Sequence, residues 1–450
     1  MQLWGGIECT IARVGSKVFD QLARAGHYER GEDLELIAAL GISTMRYPLL
    51  WERAATGTRG VHDWSFSDER LKRLRELGIR PIAGLVHHGS GPLFTHLLDE
   101  SFATGLADYA GQLARRHPWL QWYTPVNEPL TTARFSGLYG HWYPHERSSR
   151  AFARMLVNQC RATVLAMEAI RAVNPEAKLV QTEDLGTIYA TGRLQYQADF
   201  ENERRWLGWD LLLGRVDATH PMRDFLVDSG IEARELAWFR EHRCAPDLIG
   251  IDHYVTSDRY LDHRLDRYPE RTHGGNGRER YADVEAVRVL ERPGTSLRHL
   301  IMEAARRYRL PLALTEVHLG CEEDEQIRWL HEAWTTCEQL AASGVAIQAV
   351  TAWALLGCYD WDTLMTRGGN TYESGAFCLR GGAPRPTALA EYIASLTGRV
   401  TLDRGAKLSA ALPGWWRRDE RLLHGPGVPC GTRWESITAR SGTGTTFRVA

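Results

Sequence analysis

The sequence has almost no net charge, no closely spaced cysteine pair and no long apolar run. Its 54 Lys and Arg residues stand against 56 Asp and Glu residues, a formal net charge of −2 over 450 residues. Nucleic acids and anionic membrane surfaces bind through concentrated positive charge, so neither is favoured as a partner. The longest mostly apolar stretch, Val345 to Tyr359, is too short to span a bilayer.

The eight cysteines are scattered, without a C-x-x-C pair or the spacing of a zinc site. The opening residues MQLWGGIE lack the basic and apolar regions of a secretory signal, so we expect a cytoplasmic protein in a reducing compartment. No G-x-G-x-x-G motif follows a predicted strand, and no nicotinamide cofactor is implied. The sequence therefore predicts no cofactor and no metal ion.

Phenylalanine is scarce beside the other aromatic residues. The chain has 11 Phe but 16 Trp and 16 Tyr, so rings that carry a hydrogen-bonding group predominate. With 44% hydrophobic and 24% charged residues, the composition is otherwise typical of a folded globular chain.

Short β-like runs alternate with longer helix-like segments along most of the chain. Several helix-like segments end in glycine where a helix C-cap favours positive φ, at Gly41, Gly78 and Gly344. Eight strands that alternate with helices predict a single α/β domain, a (β/α)₈ TIM barrel. The predicted strands are Leu3–Ile7, Thr44–Pro48, Pro81–His87, Trp122–Asn127, Lys178–Glu183, Asp247–Tyr254, Leu312–Val317 and Ala346–Ala354.

We expect residues 1–396 to form the barrel domain, with long loops over the face at the carboxyl ends of the strands. The two longest connections are residues 189–243 and 256–293, and residues 273–278 are typical of an irregular loop. Beyond them, residues 397–450 are predicted to be a C-terminal extension, partly irregular, because the hydrophobic periodicity fades there.

Two glutamates stand at the predicted ends of barrel strands, where the working groups of such barrels lie. Glu128 follows strand four in Asn127-Glu128-Pro129, and Glu316 ends strand seven in Thr315-Glu316. Glycoside hydrolysis with retention needs such a pair, about 5 to 5.5 Å apart, one as proton donor and one as nucleophile. A surface ion pair or a helix cap is the alternative for either residue alone.

These motifs resemble family 1 glycoside hydrolases, in clan A of the retaining (β/α)₈ glycosidases, over residues 1–396. The resemblance implies a retaining β-glycosidase, β-glucosidase-like, that hydrolyses a small β-glycoside by double displacement. Its partner would be a small-molecule carbohydrate. Further matches are Trp4-Gly5-Gly6, Met45-Arg46-Tyr47, Leu85-Val86-His87, Ile251-Asp252-His253-Tyr254 and Trp353-Ala354-Leu355-Leu356.

The resemblance also implies roles for individual residues. Glu128 would be the general acid/base and Glu316 the nucleophile, whose negative charge keeps Glu128 protonated before reaction. Arg46 would lie beneath Glu316 or form a structural ion pair, and Tyr254 would donate a hydrogen bond to Glu316. Asn127 would bind the 2-hydroxyl of the sugar.

Other residues would contact the sugar at the glycone site. His87 would bind a hydroxyl group, and Trp353 would pack against the apolar face of the ring.

Two further residues of the glycone site differ from the family. Glu8 stands where the family usually has Gln, and Asp360, followed by Trp361, stands where it usually has Glu. Further differences are His88 in place of Trp and Asp252-His253 in place of Asn-Tyr. We therefore expect a conserved reaction with altered recognition of the sugar.

The aromatic excess fits a carbohydrate site, since sugars present both apolar faces and hydroxyl edges. The predicted lining includes rings near the strand ends. They are Trp4, Trp51, Trp122, Tyr123, Tyr139, Trp142, Tyr143, Tyr254, Trp353 and Trp361.

Three alternatives stay open from sequence. One is a non-catalytic barrel that binds a glycan or glycoside, and another is a transglycosylase that shares the glycosyl-enzyme intermediate. A third is a metal-dependent hydrolase, although its candidate ligands lack the usual spacing. Those ligands would be His87, His88, His141, His253 and His318. Nothing in the sequence indicates the oligomeric state.

Overall fold

The computed structural model describes residues 1–291 and 297–424. Predictions that fall on 292–296 and 425–450, including most of the C-terminal extension, lie outside the described residues. The described chain forms two compact units. The first contains Met1–Leu3, Asp184–Arg205 and the described part of 251–450, and the second contains Trp4–Glu183 and Trp206–Gly250.

Eight parallel strands, here β1 to β8, close into a barrel in which neighbours along the chain are neighbours in the sheet. This arrangement confirms the predicted (β/α)₈ barrel. The strands are β1 (Gln2–Gly6), β2 (Thr44–Pro48), β3 (Arg80–His87), β4 (Trp122–Asn127), β5 (Lys178–Asp184), β6 (Leu248–Asp252), β7 (Leu312–Val317) and β8 (Ile347–Ala352).

Most of the strands are short, largely apolar runs, and the barrel buries them on both faces, as parallel sheets require. All residues of β2, β6 and β7 are buried. Parallel pairing sets Arg46 beside Ile82 and His87 beside Asn127. The register therefore brings the last residues of β3 and β4 side by side.

Helices connect the strands, and Gly41, Gly78 and Gly344, which the sequence predicted to end helices, have the expected positive φ values of 80°, 71° and 95°. The longer helices are Asp33–Ala39, Ser65–Glu76, Ser101–Arg116, Ser149–Arg171, Gln195–Arg204, Ala233–Glu241, Leu297–Tyr308, Glu323–Ala342 and Ala388–Leu396. The shorter helices are Gln21–Ala25, Trp51–Ala54, Pro129–Ala133, Leu207–Leu212, Arg223–Asp228 and Arg404–Ala410, with a π-helical turn at Arg134–Leu138.

A four-stranded sheet outside the barrel corrects the prediction of an irregular loop at residues 273–278. Strands His273–Gly275 and Arg280–Glu285 form a hairpin. The N–H of Asn276 donates to the carbonyl of Glu279, so the central residues of the turn are Gly277 and Arg278, and Gly277 has the positive φ, 81°, that glycine favours at the first of these positions. The other two strands are Arg259–Asp262 and Ile188–Ala190. The sequence did not predict the strands of this sheet, because they are short and their side chains pack against distant segments.

The first residues of the C-terminal segment pack on helix Glu323–Ala342 of the same unit. Glu325 accepts hydrogen bonds from the backbone N–H of Trp415 (2.8 Å) and from Arg418 (2.9 Å). The indole of Trp416 donates to Glu332 (2.9 Å).

Among the described helices, none combines the length and apolar character needed to cross a bilayer.

Arg421 anchors the last described residues of this segment. Its buried guanidinium donates to the carbonyl oxygens of Val287, Leu290 and Glu291 at 2.7 to 2.8 Å. Hydrogen bonds from a charged donor contribute more than neutral ones, and the carbonyls lose their partner when it is removed.

We predict that Arg421→Ala lowers the free energy of unfolding by about 2 to 4 kcal/mol, because three hydrogen bonds are lost at once. Urea denaturation monitored by circular dichroism measures the change. Arg399→Ala removes an exposed side chain of the same segment and serves as the control. Equal stability of the two variants would contradict the structural role of Arg421.

Candidate functional site

Arg46, His87 and Asn127 lie together at the carboxyl ends of β2, β3 and β4. Arg46 Nη2 donates to Asn127 Oδ1 at 2.5 Å, and Thr182 Oγ1 donates to the same oxygen at 2.7 Å. The Nδ2 atom of Asn127 lies 3.4 Å from His87 Nε2. Because Oδ1 accepts from two donors, the amide has one orientation, with its N–H₂ group directed toward the histidine.

Glu128 adopts a left-handed backbone conformation, with φ 44° and ψ 61°, directly after β4. A residue other than glycine is rarely found there, and such strain clusters at functional sites. Glu128 is buried, and its N–H donates to the carbonyl of Thr182 at 3.2 Å. Glu183, fully buried at the end of β5, accepts the N–H of Leu130 at 3.2 Å. These contacts fix the turn that carries the Glu128 side chain.

His88 is a neighbour of Glu128 that the sequence analysis noted as a difference from the family and as a candidate metal ligand. Its Nε2 lies 3.7 Å from Glu128 Oε2, and its Nδ1 is 3.0 Å from Thr132 Oγ1. The ring also packs against Trp142, with centroids 5.3 Å apart. Like Glu128, His88 has a positive φ, of 54°. The break from the family pattern was the sequence signal that set this position apart from the other histidines.

Both histidines at the end of β3, His87 and His88, are held neutral. Burial, together with the positive charge of Arg46, lowers the pKa of His88 to about 3. Burial, with smaller contributions from His88 and Arg46, lowers the pKa of His87 well below its ordinary value. At neutral pH each ring therefore offers one N–H donor and one acceptor nitrogen.

In the other unit, Tyr254 and Glu316 are in contact. The Tyr254 hydroxyl donates to Glu316 Oε2 at 2.5 Å, and Glu316 is buried at the end of β7. The preceding residue, Thr315, donates through Oγ1 to Asp252 Oδ1 at 2.6 Å. The carboxyl group of Glu316 is thus positioned by the Tyr254 hydroxyl and by a preceding residue that is itself hydrogen bonded.

The other predicted residues occupy loops after the strands. Glu8 Oε1 accepts the N–H of Thr10 at 2.9 Å. Trp353 follows β8 directly and is buried. The fully buried Asp360 accepts the N–H groups of Gly369 (3.2 Å) and Thr371 (2.9 Å) through Oδ1. Trp361 is half-buried and begins the short helix Trp361–Thr363.

Part of the aromatic excess belongs to the protein interior rather than to a site lining. Trp51 is 1% exposed, and its ring packs against Phe94 and Phe102 at centroid distances of 6.1 and 5.8 Å. Tyr123 is also fully buried on β4. At these positions the rings fill the core.

We predict that on acidification the free energy of unfolding falls less in His88→Gln than in the wild type. The pKa of His88 is lower in the folded protein than in the unfolded chain, so only the unfolded chain takes up a proton as the pH falls below about 6.5. The free energy of unfolding therefore decreases as the pH falls below about 6.5.

Between pH 6.5 and 4.5 the wild type should lose about 2 kcal/mol more free energy of unfolding than His88→Gln. Urea denaturation at both pH values measures the difference. Identical losses in the two proteins would show that His88 accepts a proton as readily in the folded state as in the unfolded chain.

Comparison with known proteins identifies the family of this chain. The model of Glycosyl hydrolase family 1 matches residues 20–370. Beta-glucosidase 4 of Oryza sativa subsp. japonica is 25% identical over 381 residues, covering 74% of this chain and 77% of that protein. Beta-glucosidase A of Thermotoga maritima is 26% identical over 215 residues, 46% of each chain.

Solved structures with the same fold include a beta-glucosidase from Thermotoga maritima in complex with deoxynojirimycin. It has a TM-score of 0.70 at 16% identity, over 89% of this chain and 98% of that one. These comparisons confirm the resemblance found in the sequence. The chain belongs to glycosyl hydrolase family 1.

Proposed function

We propose that the protein is a retaining β-glycosidase that hydrolyses a small β-glycoside by double displacement. The observation that carries the proposal is the position of two buried glutamates at the carboxyl ends of β4 and β7 in one closed parallel barrel. Active sites of such barrels lie at that face. The beta-glucosidases among the relatives support a glycoside as the substrate class.

Glu316 is the proposed nucleophile. The hydrogen bond from Tyr254 stabilises its ionised form and holds one oxygen in place, so that the other is available to attack the anomeric carbon. Attack breaks the glycosidic bond and forms a glycosyl ester on Glu316. The negative charge of Glu316 disappears in this step.

Glu128 is the proposed general acid and base. It donates a proton to the departing oxygen in the first step and, once ionised, accepts a proton from water in the second. The neutral His88 near its carboxyl group adds no positive charge that would favour ionisation before the first step. His88 therefore suits a carboxyl group that must begin the cycle protonated.

Asn127 is the proposed contact for the sugar 2-hydroxyl. Its Oδ1 accepts from Arg46 and Thr182, so its Nδ2 is the atom that would donate to the sugar. Proposed contacts of the glycone are His87, Trp353, Asp360, Trp361 and Glu8. The differences from the family at Glu8 and Asp360 favour a sugar other than unsubstituted glucose, and aryl β-glycosides of glucose, galactose, fucose, xylose and mannose form the first substrate panel.

We predict that Glu316→Gly loses hydrolysis of aryl β-glycosides by several orders of magnitude and that azide restores release of the aryl group. Azide attacks the anomeric carbon directly in this variant, so the product is the α-glycosyl azide. In Glu128→Ala the glycosyl ester still forms from an activated substrate, and azide then gives the β-glycosyl azide. Nuclear magnetic resonance distinguishes the two anomers.

The pair of variants tests both the reaction and the assignment. If Glu316→Gly gave the β-glycosyl azide and Glu128→Ala the α-glycosyl azide, the two glutamates would have the opposite roles. If the wild type binds the glycosides in calorimetry but hydrolyses none of the panel, the protein is a binding barrel. A disaccharide as the main product from an aryl glycoside indicates transglycosylation instead.

We predict that Tyr254→Phe lowers kcat/KM by about 10- to 100-fold, since one hydrogen bond to a charged carboxylate contributes about 1.5 to 3 kcal/mol. Steady-state kinetics on the best aryl glycoside measure the change. Tyr260→Phe, on the outer strand Arg259–Asp262, is the matched control and should retain wild-type kinetics. An unchanged kcat/KM in Tyr254→Phe would show that the bond to Glu316 has no catalytic role.

A further inference from the structure

Three side chains of types that bind metal ions converge behind the end of β7. They are His318, Cys358 and Glu373, whose Nε2, Sγ and Oε2 atoms lie within 4.8 Å of one another. The separations are 3.4 Å from Nε2 to Oε2, 3.7 Å from Sγ to Oε2 and 3.9 Å from Nε2 to Sγ. All three side chains are at least nine-tenths buried.

These separations fit ligands around a shared ion better than direct hydrogen bonds. Zinc lies about 2.0 to 2.3 Å from nitrogen, oxygen and sulfur ligands, so tetrahedral geometry separates the ligand atoms by about 3.3 to 3.6 Å. The observed triangle is only slightly wider. A direct N–H···O bond is usually about 2.9 to 3.0 Å long, well below the 3.4 Å from His318 to Glu373.

The geometry also argues against a Cys-His-Glu catalytic triad. In such a triad the thiol and the carboxylate contact opposite nitrogens of the imidazole. Here both Cys358 and Glu373 approach Nε2 of His318. Convergence on one nitrogen is what a common metal ion produces.

The donor set indicates the kind of ion. A thiolate, a carboxylate and a neutral imidazole together carry two negative charges, which a divalent cation neutralises in this buried position. A mixture of sulfur, nitrogen and oxygen donors is typical of zinc and excludes calcium and magnesium, which prefer oxygen alone.

Cys358 and Glu373 are brought together by the backbone. They are directly opposite each other in a short antiparallel pair, Cys358–Tyr359 with Tyr372–Glu373. Residues opposite each other in such a ladder have neighbouring side chains. Two of the three ligands are therefore positioned before any ion binds.

The third ligand is joined to this pair by a buried glutamine. Gln326 Nε2 donates to the carbonyls of Leu319 (2.9 Å) and Ser374 (2.7 Å), the residues that follow His318 and Glu373. A Cβ atom at Gly320 would lie 2.2 Å from Glu373 Oε2, so a larger residue there would displace the carboxylate from this position. The arrangement is preorganised by neighbours that would not need to move.

We propose that His318, Cys358 and Glu373 bind one Zn²⁺ through Nε2, Sγ and Oε2. A water molecule or another ligand atom completes the coordination, and the thiol proton is released on binding. The site is additional to the glycosidase reaction and does not depend on it. Sequence spacing does not reveal it, because the ligands are 40 and 15 residues apart.

We predict that the full-length protein without an affinity tag, after treatment with a chelator, binds one equivalent of Zn²⁺ in calorimetry. Co²⁺ at the same site should give an intense thiolate-to-metal absorption band. Cys358→Ser should abolish this band and weaken Zn²⁺ binding by more than about 100-fold. Substitution of residues that only contact the metal ligands already lowers metal affinity by about 10- to 100-fold, and Cys358 is itself a proposed ligand. The isosteric Glu373→Gln should also weaken binding.

Cys378→Ser is the matched control, because Cys378 lies on the neighbouring strand Phe377–Cys378 but outside the cluster. It should bind zinc as the wild type does. Retention of the thiolate band and of zinc affinity in Cys358→Ser, or no binding by the wild type, would overturn the proposal. The measurements use no glycoside, so their outcome is separate from that of the proposed hydrolysis.

Circular dichroism of the chelator-treated variants checks folding. If Cys358→Ser is unfolded, the comparison is made with Glu373→Gln, which changes one oxygen donor and keeps the shape of the side chain. Equal zinc affinity in folded Glu373→Gln and in the wild type would contradict coordination by Glu373 and thereby the three-residue site.

Discussion

The buried guanidinium of Arg46 constrains the chemistry at the ends of β2 to β4. Removing a charge from water costs several kcal/mol unless hydrogen-bond acceptors surround it. Asn127 Oδ1 is one such acceptor, and this contact fixes which end of the amide points at His87. The same positive charge disfavours protonation of His87 and His88. One buried cation thus contributes, with Thr182, to the orientation of an amide and, with burial, to keeping two imidazoles neutral.

Much of the barrel could be predicted because its signals are local. Each strand is a short apolar run, and the glycines at 41, 78 and 344 end helices in the left-handed conformation that the sequence suggested. Once the strand ends were known, parallel pairing implied that His87 and Asn127 are adjacent. What could not be predicted is the orientation of Asn127, since it depends on Thr182 of another strand, which no motif marks.

The outer sheet shows a second kind of limit. Strand Ile188–Ala190 pairs with Arg259–Asp262, although about 70 residues of chain separate them. Their side chains share a small core with Tyr281 and Leu194, which periodicity within any one segment does not indicate. The aromatic count was similarly ambiguous. A tryptophan can fill the core, as Trp51 does, or meet a ligand, and composition does not distinguish these uses.

One of the differences from the family, Asp360, lies in the segment after β8, where its carboxylate is used by the protein itself. Asp360 Oδ1 accepts two backbone N–H groups of residues 369 and 371, which holds the loop in place. Two residues earlier, Cys358 faces His318 and Glu373. Polar atoms engaged in these ways have less capacity to bind sugar hydroxyls. The proposed catalytic glutamates lie at the ends of β4 and β7, whereas the hydrogen bonds of Asp360 stay within the segment after β8. A change in this segment can therefore leave the two glutamates in place.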